Sequence, residues 1–447
     1  MNGQSEKQSA SNISNIYELD GRVPVTKAIP FGIQHILAMF VANIAPIIIV
    51  SGAAGLGGEN LAMLLQNCMF VAGIATLIQL YPVWKIGAKL PIVMGVSFTF
   101  VSILCFIAAT YGYGAVIGAV MVGGAAEGLL GLFAKYWRRF ISPVVAACVV
   151  TAIGFSLLNV GATSFGGGAG AEDFGSPQNL LVGTFTLVCC LMFNIFAKSF
   201  WKQLSVLFGL IMGYILAALM GMVDFSGIFS RGLFAFPRLM PFTPEFVPSA
   251  MAAVFIVFLV SATETIGDTS AICISGLNRD VTEKEISGSL GCDGFASSIS
   301  ACFGCLPVTS FSQNVGLVAM TRVVNRFTIM TGAICMVLCG LFPPLGAFFS
   351  TLPECVLGGC TIMMFGSIIV SGMQMVLRCG INQRNTIITS LSLSIGIGFT
   401  QVPAIFQTLP DLAQQILANN CVTVVFLVAL VLNLVLPEHM ELDQPQN

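Results

Sequence analysis

Residues 29–52 contain no aspartate, glutamate, lysine or arginine, and comparable apolar windows recur along the whole chain. About twenty apolar residues in a helix are enough to cross a hydrocarbon core. No water-soluble domain can bury so many such runs at once. Of the 447 residues, 56% are hydrophobic and only 9% are charged, whereas soluble proteins devote about a quarter of their residues to charge. The chain is therefore expected to be an integral, polytopic, all-α membrane protein. Composition excludes a secreted disulfide scaffold, a disordered chain and a nucleic-acid binder. A formal charge of −2 gives no reason to expect an anionic polymer as partner.

The fifteen cysteines do not point to redox chemistry. Cys189, Cys190, Cys335, Cys339 and Cys421 lie inside apolar runs, where cysteine behaves as a small hydrophobe. Cys302 and Cys305 have C-x-x-C spacing, but no second pair or histidine cluster stands near them to complete a metal site. The first 28 residues are polar and lack the apolar core of a signal peptide. They read as a cytosolic tail, as do residues 437–447.

Hydropathy marks fourteen candidate spans, at 29–52, 61–81, 90–110, 113–133, 143–163, 179–197, 204–222, 249–273, 286–304, 306–320, 327–350, 354–376, 385–402 and 421–436. The stretch 403–420 reads as a short interfacial helix. Lysine and arginine favour cytoplasmic loops. With the N-terminus inside, all but two of the 18 basic residues fall on the cytoplasmic side, the exceptions being Arg231 and Arg238. An error of one span would scramble that pattern, so fourteen spans with both termini inside are expected.

Fourteen spans divide into two sevens of opposite orientation, the arrangement of many secondary transporters. Leu90-Pro91 opens the third window and Leu306-Pro307 the tenth, and six residues beyond each proline stand Ser97 and Gln313. Pro143 and Pro353, in the fifth and twelfth windows, are each followed eight residues later by a threonine, Thr151 and Thr361. These correspondences predict an inverted repeat. Backbone broken at membrane depth must line a cavity or be buried in protein, so the substrate site is expected between the third and tenth spans.

Ionisable residues inside membrane spans are costly and are functional candidates by default. Here they are His35, Glu127, Glu264, Asp268 and Asp293. Glu264 and Asp268 stand four apart and share a helix face, an arrangement suited to reversible protonation. Asp293 is a candidate proton or packing partner, and His35 could be a structural hydrogen bonder or a functional group. Glu127, in the small-residue stretch GGAAEGLLG, receives no role.

SFSQNVGLVAMTR, residues 310–322, resembles the signature of the nucleobase–ascorbate transporter family, a Gln/Glu-Asn-x-Gly-x-x-x-x-Thr pattern met here by Gln313, Asn314, Gly316 and Thr321. Gln34-His35 resembles that family's first-span motif. Glu264 with Gly267 and Asp268 resembles its eighth-span motif, and Asp293 its ninth-span aspartate. The resemblance runs in order along essentially the whole chain. It implies a seven-plus-seven inverted repeat with a core domain (29–133 and 249–350) and a gate domain (134–222 and 351–436). It also implies solute–proton symport across the cytoplasmic membrane, with protons as the only coupling ion and no other cofactor, by a homodimer.

By residue, the resemblance implies that Glu264 is the substrate-binding carboxylate and Gln313 a second ligand. Phe98 matches an aromatic that packs against the base, and Phe311 and Ser312 match neighbours that contact it. Asp268, Asp293, His35, Asn314, Gly316 and Thr321 remain for proton coupling or support of the site. Uracil permeases of the family tend to carry Glu in place of Gln313 and His in place of Asp268, whereas xanthine and uric acid permeases have Gln and Asp as here. Ser97 stands where strict xanthine permeases often have Asn, and the smaller group leaves room for an 8-oxo substituent. The expected substrate is thus xanthine, uric acid or both.

The chemistry of the residues agrees. A carboxylate can accept two N–H bonds from one edge of an oxopurine, while an amide donates and accepts at another. Two other classes compete. An anion transporter of related architecture should present a positive site, but the central acids outnumber candidate bases. A membrane enzyme needs a nucleophile–base pair or a metal cluster, and His35 and His439 are the only histidines.

Overall fold

Proline has no N–H to donate and pushes the residue before it toward extended backbone. Both Leu-Pro pairs act accordingly. In the computed structural model, which describes residues 15–21, 23–137, 141–198, 200–225, 228, 232–418 and 420–437, each pair leads into a three-residue strand and then a short helix. Strand β1 (Met94–Val96) pairs antiparallel with β2 (Val308–Ser310), with Gly95 opposite Thr309. Two further bonds extend the ladder, Phe311 N–H to the Val93 carbonyl at 3.0 Å and Ser97 N–H to the Pro307 carbonyl at 2.9 Å.

Outward-facing backbone groups of the strands are met by side chains from neighbouring helices. Val96 N–H donates to Asn43 Oδ1 at 2.9 Å, Met94 N–H to Thr76 Oγ1 at 2.9 Å, and Val308 N–H to Ser297 Oγ at 3.0 Å. Buried backbone groups need such partners, and far more so where no water reaches them. Gly95 is required sterically, because a Cβ there would lie 2.2 Å from the Phe311 ring.

Around this pair the chain is helical. The first half holds α1 (Val25–Ala53), α2 (Gly58–Leu80), α3 (Val101–Tyr111), α4 (Tyr113–Leu132), α5 (Pro143–Ser156), α6 (Leu158–Phe165), α7 (Pro177–Phe196) and α8 (Ser205–Leu219). The second holds α9 (Pro248–Leu277), α10 (Glu283–Cys302), α11 (Ser312–Thr321), α12 (Arg326–Gly340), α13 (Pro343–Ser350), α14 (Glu354–Arg378), α15 (Gln383–Gln401), α16 (Asp411–Ala418) and α17 (Cys421–Val435). β1 precedes α3, and β2 precedes α11.

Among the described residues seven helices are long and apolar enough to cross a membrane: α1, α2, α4, α7, α9, α14 and the α5–α6 run. The expected window at 327–350 is not one straight helix. It is α12 and α13, bent by 78°, because Pro343-Pro344 cannot continue the ladder of α12. The stretch 403–420 forms a 3₁₀ turn at Pro403–Phe406 and then α16. Most of the two expected tails (1–14 and 438–447, including His439) lies outside the described residues, as does Arg231.

Helix packing is reciprocal between the halves. α4 packs on α10 as α2 packs on α12, and α4 packs on α9 as α12 packs on α1. In the same way α7 packs on α8 and α15 on α17, while α5 packs on α14. The strand pair sits within the first group of helices, in contact with α1, α2, α9 and α10.

Candidate functional site

Where α3 and α11 begin, the two chain breaks border a cavity of about 310 Å³. One wall is α1, the turn Val96–Phe98, Glu264 of α9 and the segment Thr309–Gln313 with Gly316. The opposite wall is α5 and α14, the latter contributing Met363, Met364, Ser367 and Ser371. Lys202 and Asn194 stand at its edge. The cavity therefore lies between the two groups of helices.

Every residue expected to touch substrate lines this cavity: Glu264, Gln313, Phe98, Ser97, Phe311 and Ser312. Glu264 Oε2 accepts from Thr99 Oγ1 at 2.7 Å, and no other side-chain bond engages its carboxylate among the described residues. Among the described residues the Gln313 amide makes no side-chain hydrogen bond, and it too lines the cavity. Phe98 meets Phe365 of α14 edge to face, with ring centroids 5.4 Å apart. A Cβ added to Gly316 would meet nothing within 4 Å, so the missing side chain keeps cavity volume open rather than relieving a packing clash.

The other acids lie behind the wall. Asp268 accepts from Ser310 Oγ at 2.9 Å and from Ser312 Oγ at 2.8 Å, which ties α9 to the junction of β2 and α11. Asp293 Oδ2 accepts from Thr309 Oγ1 at 2.9 Å and from Thr265 Oγ1. His35 and Asn314 are both buried. The Asn314 amide donates to the His35 carbonyl at 2.9 Å and lies 3.2 Å from its ring Nδ1, locking α11 to α1. Thr321 is not brought to the cavity. It closes the far end of α11, donating to the Leu317 carbonyl at 2.9 Å.

Thr99, Thr265, Thr309 and Ser310 do not stand out in the sequence, although they hold Glu264, Asp293 and Asp268. A hydroxyl within an apolar run carries no periodic signal. Only the position of Thr99, two residues beyond Ser97, could have drawn notice. The gate-side serines Ser367 and Ser371 likewise look like ordinary small residues of a membrane helix.

A model described as the Permease family matches residues 26–405. The chain belongs to this family, the nucleobase–ascorbate transporters. Xanthine permease XanQ of Escherichia coli K12 is 32% identical over 94% of each chain. The xanthine permease of Bacillus subtilis 168 is 36% identical over 92% of this chain and 93% of its own. Xanthine permease XanP of E. coli K12 is 32% identical over 95% of each. The chain is a multi-pass membrane transporter and not an enzyme. Its fold is that of the transmembrane domain of the cyanobacterial bicarbonate transporter BicA, with a TM-score of 0.59, 15% identity and coverage of 92% of this chain and 98% of that one. Murine Slc26a9, an anion transporter, aligns with a TM-score of 0.61 and 9% identity over 93% of this chain and 70% of its own.

Proposed function

We propose that the protein is a proton-coupled symporter that imports an oxopurine nucleobase, xanthine or uric acid or both, across the cytoplasmic membrane. The observation that carries this reading is the cavity, where a carboxylate (Glu264), an uncommitted amide (Gln313) and an aromatic face (Phe98) converge at paired chain breaks. A flat heterocycle with N–H and C=O edges fits that set, since aromatic stacking contributes about 1–3 kcal/mol per base. The xanthine permease relatives support the same substrate class.

The spans are fourteen, in two inverted sevens, with the third and tenth broken at their Leu-Pro starts. The reciprocal packing of α4 on α10 and α2 on α12 supports that repeat. Residues 29–133 and 249–350 form the core, residues 134–222 and 351–436 the gate, and transport proceeds by alternating access as the two groups move against each other. Both termini are cytoplasmic, so the cavity edge at Lys202 opens inward. The functional unit is a homodimer, and Asp268, Asp293 and His35 with Asn314 couple protons or support the site.

The fold is shared with anion transporters, yet the cavity presents the carboxylate of Glu264, which would repel an anion. Uptake of labelled xanthine into cells, challenged with urate, uracil, guanine and hypoxanthine, tests the reading. Strong competition by urate and weak competition by uracil is expected. Inhibition by uracil alone would move the assignment to uracil permeases, and inhibition by bicarbonate but no purine would move it to anion transport.

A further inference from the structure

Glu127 is the central acid that the site does not use. It lies mid-way along the contact of α4 with α10, with 2% of its surface exposed, and Asp293 opposite is fully buried. The register of that contact is fixed at both ends. Ser298 Oγ donates to the Met121 carbonyl at 2.8 Å and Ser287 Oγ to the Gly131 carbonyl at 2.9 Å. Between them the backbones nearly touch, since a Cβ on Gly124 would meet the Gly294 carbonyl at 2.7 Å and one on Gly294 would meet Gly128 N at 2.0 Å. This antiparallel register brings Glu127 within about one helical turn of Asp293.

Both Glu127 oxygens and Asp293 Oδ1 are buried without a hydrogen-bond partner among the described residues. Burying a carboxylate without partners is costly unless it carries its proton. A pair of such groups side by side tolerates one proton better than none. Asp293 is also wired to the cavity, because Thr309 both lines the cavity and donates to Asp293. Of the helices packed on α4, α9 turns Glu264 to the cavity and commits Asp268 to Ser310 and Ser312. α3 carries no charged residue.

We propose that Glu127 exchanges a proton with Asp293 across the α4–α10 contact and is a coupling residue of the transport cycle. The proton leaves one carboxyl and adds to the other, so that Glu127 takes up or returns the proton that Asp293 carries behind the cavity wall. This rests on the symport reading above.

The test compares two activities of the full-length protein in proteoliposomes: accumulation of labelled xanthine driven by an imposed pH gradient, and xanthine–xanthine exchange at equal pH. Glu127→Gln should lose accumulation by about tenfold, within the usual range of coupling between linked sites, while exchange stays near the wild-type rate. Glu127→Asp should restore gradient-driven accumulation with a displaced pH profile. Wild-type accumulation and pH profile in Glu127→Gln would overturn the inference. So would an equal fall of exchange and accumulation that Glu127→Asp does not reverse, since that marks a structural role. Should Glu127→Gln fail to insert, Glu127→Asp decides alone: a displaced profile supports the proposal and an unchanged one overturns it. A wild-type protein that exchanges xanthine but never responds to the gradient would defeat the symport reading itself.

Discussion

Glu264 accepts one side-chain hydrogen bond among the described residues, from Thr99, and has an open cavity before it. Hydrogen bonds to a charged group contribute about 1.5–3 kcal/mol each, so Glu264→Gln is expected to weaken xanthine binding by roughly 10–150-fold while leaving membrane expression near normal. Wild-type affinity in that variant would remove Glu264 from the site. Gly316 makes a sharper steric test. A methyl group there meets no neighbour, so Gly316→Ala should leave thermal stability unchanged yet reduce the affinity for purine, and an unchanged inhibition constant would show that the ligand does not reach α11. Ser97→Asn should narrow the cavity and penalise urate more than xanthine. Equal changes in the two inhibition constants would show that Ser97 does not sense the 8-position. Glu264 was legible in the sequence because a charge stands out in an apolar run, and Gln313 because it follows the second Leu-Pro break; Phe98, one of 35 phenylalanines, was marked only by the resemblance to the family. Thr99 and Thr309 were not, because their importance comes from carboxylates far away in sequence.

At the scale of elements, the Leu-Pro pairs marked where the chain departs from helix, and the structure places strands there. The pairing of β1 with β2 was not legible, because three-residue strands carry no period and their partners lie on opposite halves of the chain. The 78° bend between α12 and α13 was missed for a different reason: hydropathy registers apolarity, not direction. The strands depend on side chains that replace water. Ser297→Ala would leave Val308 N–H unpaired, a loss of about 1–3 kcal/mol, and should lower the melting temperature in detergent. An unchanged melting temperature would mean that another group satisfies Val308. At its entry, α10 carries a capping box, with Thr282 accepting from Glu285 N–H at 3.3 Å and Thr282 N–H donating to Glu285 Oε2 at 2.9 Å. Burial pushes the Glu285 carboxyl up, but Arg279 and Thr282 together hold it below its usual value. A depressed carboxylate contributes stability above its unfolded pKa and loses it as the pH falls through the folded value. Glu285→Gln should therefore flatten the acid limb of the stability profile, and an unaltered limb would assign that limb to other carboxylates.

For the whole molecule, the proposed function has two groups of helices moving a purine and a proton together through one cavity. The fold alone cannot decide this, since BicA and Slc26a9 share it at 15% and 9% identity. The reading rests instead on the chemistry of the cavity wall and the buried acids behind it. The most direct measurement is xanthine uptake by the purified protein in proteoliposomes under an imposed inward proton gradient, with and without a protonophore. A proton-coupled purine symporter should accumulate xanthine above equilibrium, lose that accumulation when the protonophore is added, and lose it in Glu264→Gln. Uptake that never exceeds equilibrium, or that persists unchanged with the protonophore present, would contradict it.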